Sequence, residues 1–208
     1  MPAYSSDKEQ VEELKALWKE YGRWILLAVA VGFGVSYGWR YWQVREVKQN
    51  LVASDQYQNI LAAIPTNNWE QIAAKKQVLQ DKYPKLAYTA FANFLEAKHY
   101  VELNQYQKAL ADLKMVIVNT EEPSLKQIAR IRSASILLAE KDAAAAKKIL
   151  SVVDSQTYAP MIQVVQGDIA LAEKNPKQAG VYYKEAFEGL MALDIQQPIF
   201  ALKALMYH

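Results

Sequence analysis

The apolar positions of this chain run without a break from Trp24 to Trp39, a stretch that holds no charge and is closed at its ends by Arg23 and Arg40. As an α-helix it measures about 24 Å, short of the roughly 30 Å of bilayer hydrocarbon, so its flanks must supply the rest. Tyr21 and Trp24 at one end, and Trp39, Tyr41 and Trp42 at the other, carry rings that settle at headgroup depth, and Arg23 and Arg40 can snorkel outward. The pattern predicts a single transmembrane helix over residues 24–44. A buried helix of a soluble domain would rarely carry aromatics at both ends of so uniform a run. A cleaved signal peptide is also disfavoured. Ala28-Val29-Ala30 has the form of a processing site, but the apolar stretch between Arg23 and Ala28 is shorter than a signal core needs. An uncleaved signal anchor is the favoured reading.

Before that run, residues 1–23 form an amphipathic tail. Ser6-Asp7-Lys8-Glu9 has capping-box spacing, and Val11, Leu14, Trp18 and Tyr21 follow at intervals of three and four. The stripe can lie on the membrane face, dock on a partner, or simply set the entry into the span. Beyond Trp42 the pattern continues through Val44, Val47 and Leu51 to Ile60, Leu61 and Ile64, which predicts a helical stem ending at Pro65. Every later segment reads as helix, punctuated by Pro84, Pro123, Pro160, Pro176 and Pro198.

A repeat underlies residues 86–190. Ala109, Ala146 and Ala179 are each preceded twelve residues earlier by a small residue, Ala97, Ala134 and Gly167. The spacings of 37 and 33 bracket the 34-residue tetratricopeptide period, and paired small residues let two helices of a hairpin approach closely. The fold class is therefore all-α, with the repeat domain occupying residues 45–208 as a tetratricopeptide-like helical solenoid. Glu96 and Ser133 stand where a large apolar residue is usual, and the longer step implies an extra loop around Thr120–Ser124. Residues 50–83 read as a degenerate first hairpin around Ala73, and residues 198–208 as a terminal capping helix.

Charge and composition narrow the function more than they define it. Lys and Arg number 24 against 22 Asp and Glu, so no basic field is available for nucleic acid. Cysteine is absent, which removes disulfides, thiol catalysis and thiolate metal sites. The cations on either side of the apolar run are nearly equal in number. The short tail is the end more easily retained, which favours an N-terminus inside and a C-terminal domain outside.

No catalytic set can be assembled. The two histidines, His99 and His208, have no ligand or carboxylate at metal or catalytic spacing. Gly32, Gly34 and Gly38 do not match a dinucleotide loop, since the last interval is too long and no strand precedes them. On a membrane helix, Ala30, Gly34 and Gly38 form a small-xxx-small stripe open to a helix partner, although glycine is common in such helices anyway. The acids Glu121, Glu122, Glu140 and Asp142 fall at loops or helix ends and are given no catalytic role. An enzyme, a cofactor, a metal and a small-molecule substrate are accordingly not expected. What remains is a binding surface on the first helices of the repeats, formed by Phe91, Phe94, Ile128, Ile131, Met161 and Val164. Such a groove can hold a segment of another protein, be filled from within by the apolar terminal helix of residues 198–208, or pack against the first hairpin.

The order of features resembles a known family. An acidic tail Glu9-Gln-Val-Glu-Glu-Leu-Lys15 leads through Trp18-Lys-Glu-Tyr-Gly22 to an apolar run ending Gly38-Trp-Arg-Tyr-Trp42, followed by the repeats. This resembles the YfgM-like family of proteobacterial inner-membrane proteins, ancillary subunits of the SecYEG translocon, over essentially the whole chain. The resemblance implies a single-pass protein of the bacterial inner membrane with a cytoplasmic N-terminus and a periplasmic repeat domain. It also implies association with the SecYEG translocon and partnership with a membrane-anchored periplasmic peptidyl-prolyl isomerase-like chaperone, with no catalytic residues. The function so implied is a protein-interaction module that helps pass translocated chains to periplasmic chaperones. A scaffold for envelope or division assembly is the alternative.

Overall fold

The computed structural model describes residues 7–154, 156–193, 203, 206 and 207, which are helical with no strand among them. Among the described residues eight helices follow in order: α1 (Asp7–Ala63), α2 (Trp69–Lys82), α3 (Ala87–Glu102), α4 (Tyr106–Asn119), α5 (Pro123–Ala139), α6 (Ala143–Leu150), α7 (Ala159–Ala172) and α8 (Pro176–Ala192). The chain divides into two units, Met1–Leu51 and Val52–His208.

In the first unit the side chains from Leu26 to Gln49 are all exposed. Phe33 is 75% and Tyr37 77% exposed. Trp39 and Trp42 lie one turn apart with ring centroids 5.8 Å from each other, and the Arg23 guanidinium sits 5.8 Å from the Trp24 ring. Among the described residues no helix is long and apolar enough to cross a membrane. The reading of residues 24–44 as a spanning helix therefore goes further than the structure does. Arg23 and Arg40 close the run too early, and Ser36, Tyr37 and Gly38 dilute its second half. The tail's capping serine, Ser6, lies outside the described residues.

The second unit is built from helical hairpins. The end of α1 and α2 form the first, and their core joins Ala53, Ile60 and Ala63 to Ile72, Leu79 and Ala92. Ile72 and Leu79, rather than the half-buried Ala73, are the residues of α2 that the hairpin buries. Pairs α3–α4, α5–α6 and α7–α8 repeat the arrangement, and the small residues expected at the crossings are all buried: Ala97 with Ala109, Ala134 with Ala146, Gly167 with Ala179. At the last crossing a β-carbon on Gly167 would stand 2.5 Å from the Tyr183 ring, so only glycine lets α7 and α8 approach this closely.

The turns of the last three hairpins share one geometry. Asn104, Lys141 and Lys174 have φ of 57°, 65° and 61°, each in the left-handed region. In the first turn the Gln105 amide donates to the Tyr100 carbonyl at 2.7 Å and the Asn104 amide to Val101 at 2.9 Å, which is a Schellman motif. The Asp142–Leu137 and Lys141–Leu138 bonds, and then Asn175–Ala170 and Lys174–Leu171, repeat it. Asp142 and Asn175 start the next helix by accepting from the amides of Ala145 and Gln178.

The extra loop expected around Thr120–Ser124 is not present. Helices α4 and α5 are joined by residues 120–122 alone, and Thr120 is buried there, its hydroxyl accepting from the Glu122 amide at 3.2 Å. The unequal spacing arises differently. Helix α5 has 17 residues against 14 in α7, which accounts for most of the difference between the two steps.

Candidate functional site

An apolar groove of about 580 Å³ opens in the second unit over α3 and α5, with Tyr57 of α1 at its edge. Phe91, Phe94 and Leu95 come from α3, and Leu125, Ile128 and Ile136 from α5. Phe91 stays 37% exposed, and its ring packs edge-on against Tyr88 and at a tilt against Tyr57. The repeat geometry places these side chains together because residues on one face of α3 and of α5 turn to the same side of stacked hairpins.

Of the six residues expected to form this surface, Phe91, Phe94 and Ile128 are brought together here. Ile131 is not, being buried in the core shared by α5, α6 and α7. Met161 and Val164 lie on α7, Met161 exposed and Val164 half-buried, outside this groove. On α5, Ile131 lies three residues beyond Ile128 and turns toward α6 and α7 instead of α3.

Two cations stand in the groove wall, Lys98 and Arg132. The Arg132 guanidinium lies 4.7 Å from the Phe94 ring centre, and burial lowers its pKa. Neither Arg132 nor Tyr57 was singled out in the sequence. A cation spaced four residues from Ile128 was the available signal.

Beside the groove, α2, α3 and α4 enclose a cluster of charges. Lys76 pairs with Glu96 and, at 2.7 Å, with Asp112, and their side chains are 11%, 5% and 9% exposed. Burial pushes Asp112 up to about 6 against the opposing pull of Lys76, and the Glu96 charge adds to the rise. Burial alone would lower Lys76, but its two carboxylate partners outweigh it and the pKa is raised. One oxygen of the cluster, Asp112 Oδ2, has no hydrogen-bond partner. Glu96, noted as out of place in the repeat pattern, is thus accounted for by an ion cluster. Its partner pair spans 36 residues of sequence, a distance over which no local pattern reports.

Other candidates are placed as follows. His99 stacks on Trp69 with ring centroids 3.4 Å apart, and His208 lies outside the described residues. Among the described residues no group of three or more His, Cys, Asp and Glu could hold a metal ion. Glu121 pairs with Lys85, and Glu140 accepts from Gln107. Ala30, Gly34 and Gly38 are exposed, and a β-carbon on Gly34 or Gly38 would meet nothing within 4 Å. Of the terminal segment, Ile199, Phe200, Leu202 and Leu205 lie outside the described residues. Lys203 donates to Asp168 at 2.8 Å and Tyr207 packs on Tyr183, so these two residues sit at α7 and α8.

The family model of the tetratricopeptide repeat-like domain matches residues 15–204. The chain belongs to that family. It is also similar to proteins named "Ancillary SecYEG translocon subunit": 29% identical to one from Escherichia coli, over 94% of this chain and 92% of the relative. Relatives of the same name from Haemophilus influenzae (28% identical, 98% of this chain, 100% of the relative) and Neisseria gonorrhoeae (25%, 98% of each) extend the similarity to the whole length. No solved structure matches the chain. Membership of a tetratricopeptide repeat-like family accords with the three Schellman-turned hairpins and with a groove made of helix faces rather than loops.

Proposed function

We propose that this chain is a membrane-anchored protein-interaction module that acts as an ancillary subunit of a SecYEG translocon, not as an enzyme. The observation that carries the anchoring is the exposed apolar run of α1. A protein in water rarely leaves so large a contiguous apolar surface bare, and lipid or partner helices relieve that exposure. The interfacial aromatics and arginines at both ends of residues 24–44 provide the length that the run lacks. Ala30, Gly34 and Gly38 offer a face for a helix of the translocon. The names of the full-length relatives support the translocon as partner.

In this reading the N-terminus is cytoplasmic and the repeat domain periplasmic, and the groove receives segments of a membrane-anchored isomerase-like chaperone or of emerging chains. Anchoring raises the domain's concentration at the exit site, so weak groove contacts suffice for handing chains on. Affinity isolation of translocon subunits from solubilised membranes tests this. The full chain brings SecY with it, and the chain lacking residues 1–44 does not. Equal recovery with both would overturn the anchoring role, and recovery with neither would overturn the translocon role.

A further inference from the structure

We propose that the groove between α3 and α5 takes a segment of another protein in which bulky apolar side chains stand beside a carboxylate, the acid meeting Arg132 and Lys98. This rests on the reading of the repeat domain as a protein-binding module and adds the chemistry of what it binds. The floor is apolar, with Tyr57, Phe91, Phe94 and Ile128 facing a volume of about 580 Å³, within the roughly 300–1,000 Å³ usual for ligand clefts. The charges among the lining residues are both positive, and no Asp or Glu stands among them.

Arg132 is the group that argues for an acid. Among the described residues it makes no ion pair and no hydrogen bond, while its guanidinium lies over Phe94. A planar fork held against an aromatic face, with its donors unspent, matches a carboxylate in two parallel bonds. Lys98 has Glu102 at 3.8 Å, but both side chains are more than half exposed, and such a pair exchanges readily for a better one. A basic segment would add repulsion, and a neutral one would cover the rings but leave Arg132 unanswered. Residues Lys203 and Tyr207 of the chain's own terminus are held at α7 and α8 and are not among the groove's lining.

The test uses the full chain in phosphatidylcholine nanodiscs and three fluorescein-labelled ten-residue peptides. All carry the same Leu and Phe residues and differ at two positions, which hold Asp, Asn or Lys. Fluorescence anisotropy, blanked against empty nanodiscs, is expected to show the Asp peptide binding about fivefold tighter than the Asn peptide, with the Lys peptide weakest. Added salt narrows that gap. Arg132→Gln brings the Asp peptide to the level of the Asn peptide and leaves the latter almost unchanged, whereas Phe91→Ser weakens all three. Three peptides binding alike, or Arg132→Gln weakening all equally, overturns the acidic preference while leaving the module's protein binding intact. Binding by none overturns the groove as the site, and recovery of SecY with the full chain separates that failure from failure of the proposed function.

Discussion

At residue scale the most consequential group is Asp112. Its carboxyl shares a buried site with Glu96 under a single ammonium, Lys76, and the phenol of Tyr100 borders the same cluster. One cation cannot neutralise two buried carboxylates, and desolvation outweighs the pairing, so Asp112 titrates near 6 instead of in the ordinary carboxylate range. A raised folded-state value means that the native state binds the proton more tightly than the unfolded chain. The stabilising contribution is therefore complete below about pH 4 and is lost as the pH rises through about 6. Thermal and urea unfolding of the full chain, compared with Asp112→Asn, checks this. Relative to the variant, the natural chain should lose on the order of 2 kcal/mol between pH 4 and pH 7. A relative gain over that window would show that Lys76 dominates instead. Lys76→Met should be costly at neutral pH, about 3–5 kcal/mol, because it strands two charges in the interior.

At element scale the hairpins are held by close crossings and by turns that stop each first helix at a fixed place. The alanine and glycine anchors were legible in the sequence because each small residue marks a place where two helices nearly touch. The turns were less legible. Their left-handed positions are filled by Asn104, Lys141 and Lys174 instead of glycine, and only Asn signals such a conformation. The extra residues of the longer repeat were assigned to a loop because helix lengths cannot be read from spacing alone. The α7–α8 crossing offers the sharpest test. Tyr183 is fully buried and its hydroxyl donates to Asp168 at 2.5 Å, so its ring cannot swing aside for a new methyl group. Gly167→Ala should cost about 1–3 kcal/mol in urea unfolding, although alanine is the better helix former. A neutral or stabilising result would mean that the two helices can separate freely.

At the scale of the whole molecule, one unit buries its apolar residues and the other displays them. Ile60, Ile72 and Leu79 are 0% exposed, whereas Leu26, Phe33 and Val35 are more than half exposed along α1. Both halves of that contrast were visible in the sequence, as a periodic pattern in the repeats and an unbroken one in residues 24–39. The groove was half legible: Phe91, Phe94 and Ile128 follow from the repeat, but Ile131, three residues beyond Ile128 on α5, turns into the core shared with α6 and α7. Arg132 and the Lys76 cluster depend on contacts between distant segments, which no local pattern contains. The central claim is that lipid covers the exposed run of α1 and holds the repeat domain at the membrane. The chain has no cysteine, so a single introduced one reports alone. Val35→Cys and Ser151→Cys, each in the full chain in sealed inverted membrane vesicles, should both resist a membrane-impermeant maleimide. Detergent opening of the vesicles should expose Ser151→Cys fully, and Val35→Cys should react only after denaturation. Ready labelling of Val35→Cys in intact vesicles, at the rate seen for Ser151→Cys after opening, would contradict the account.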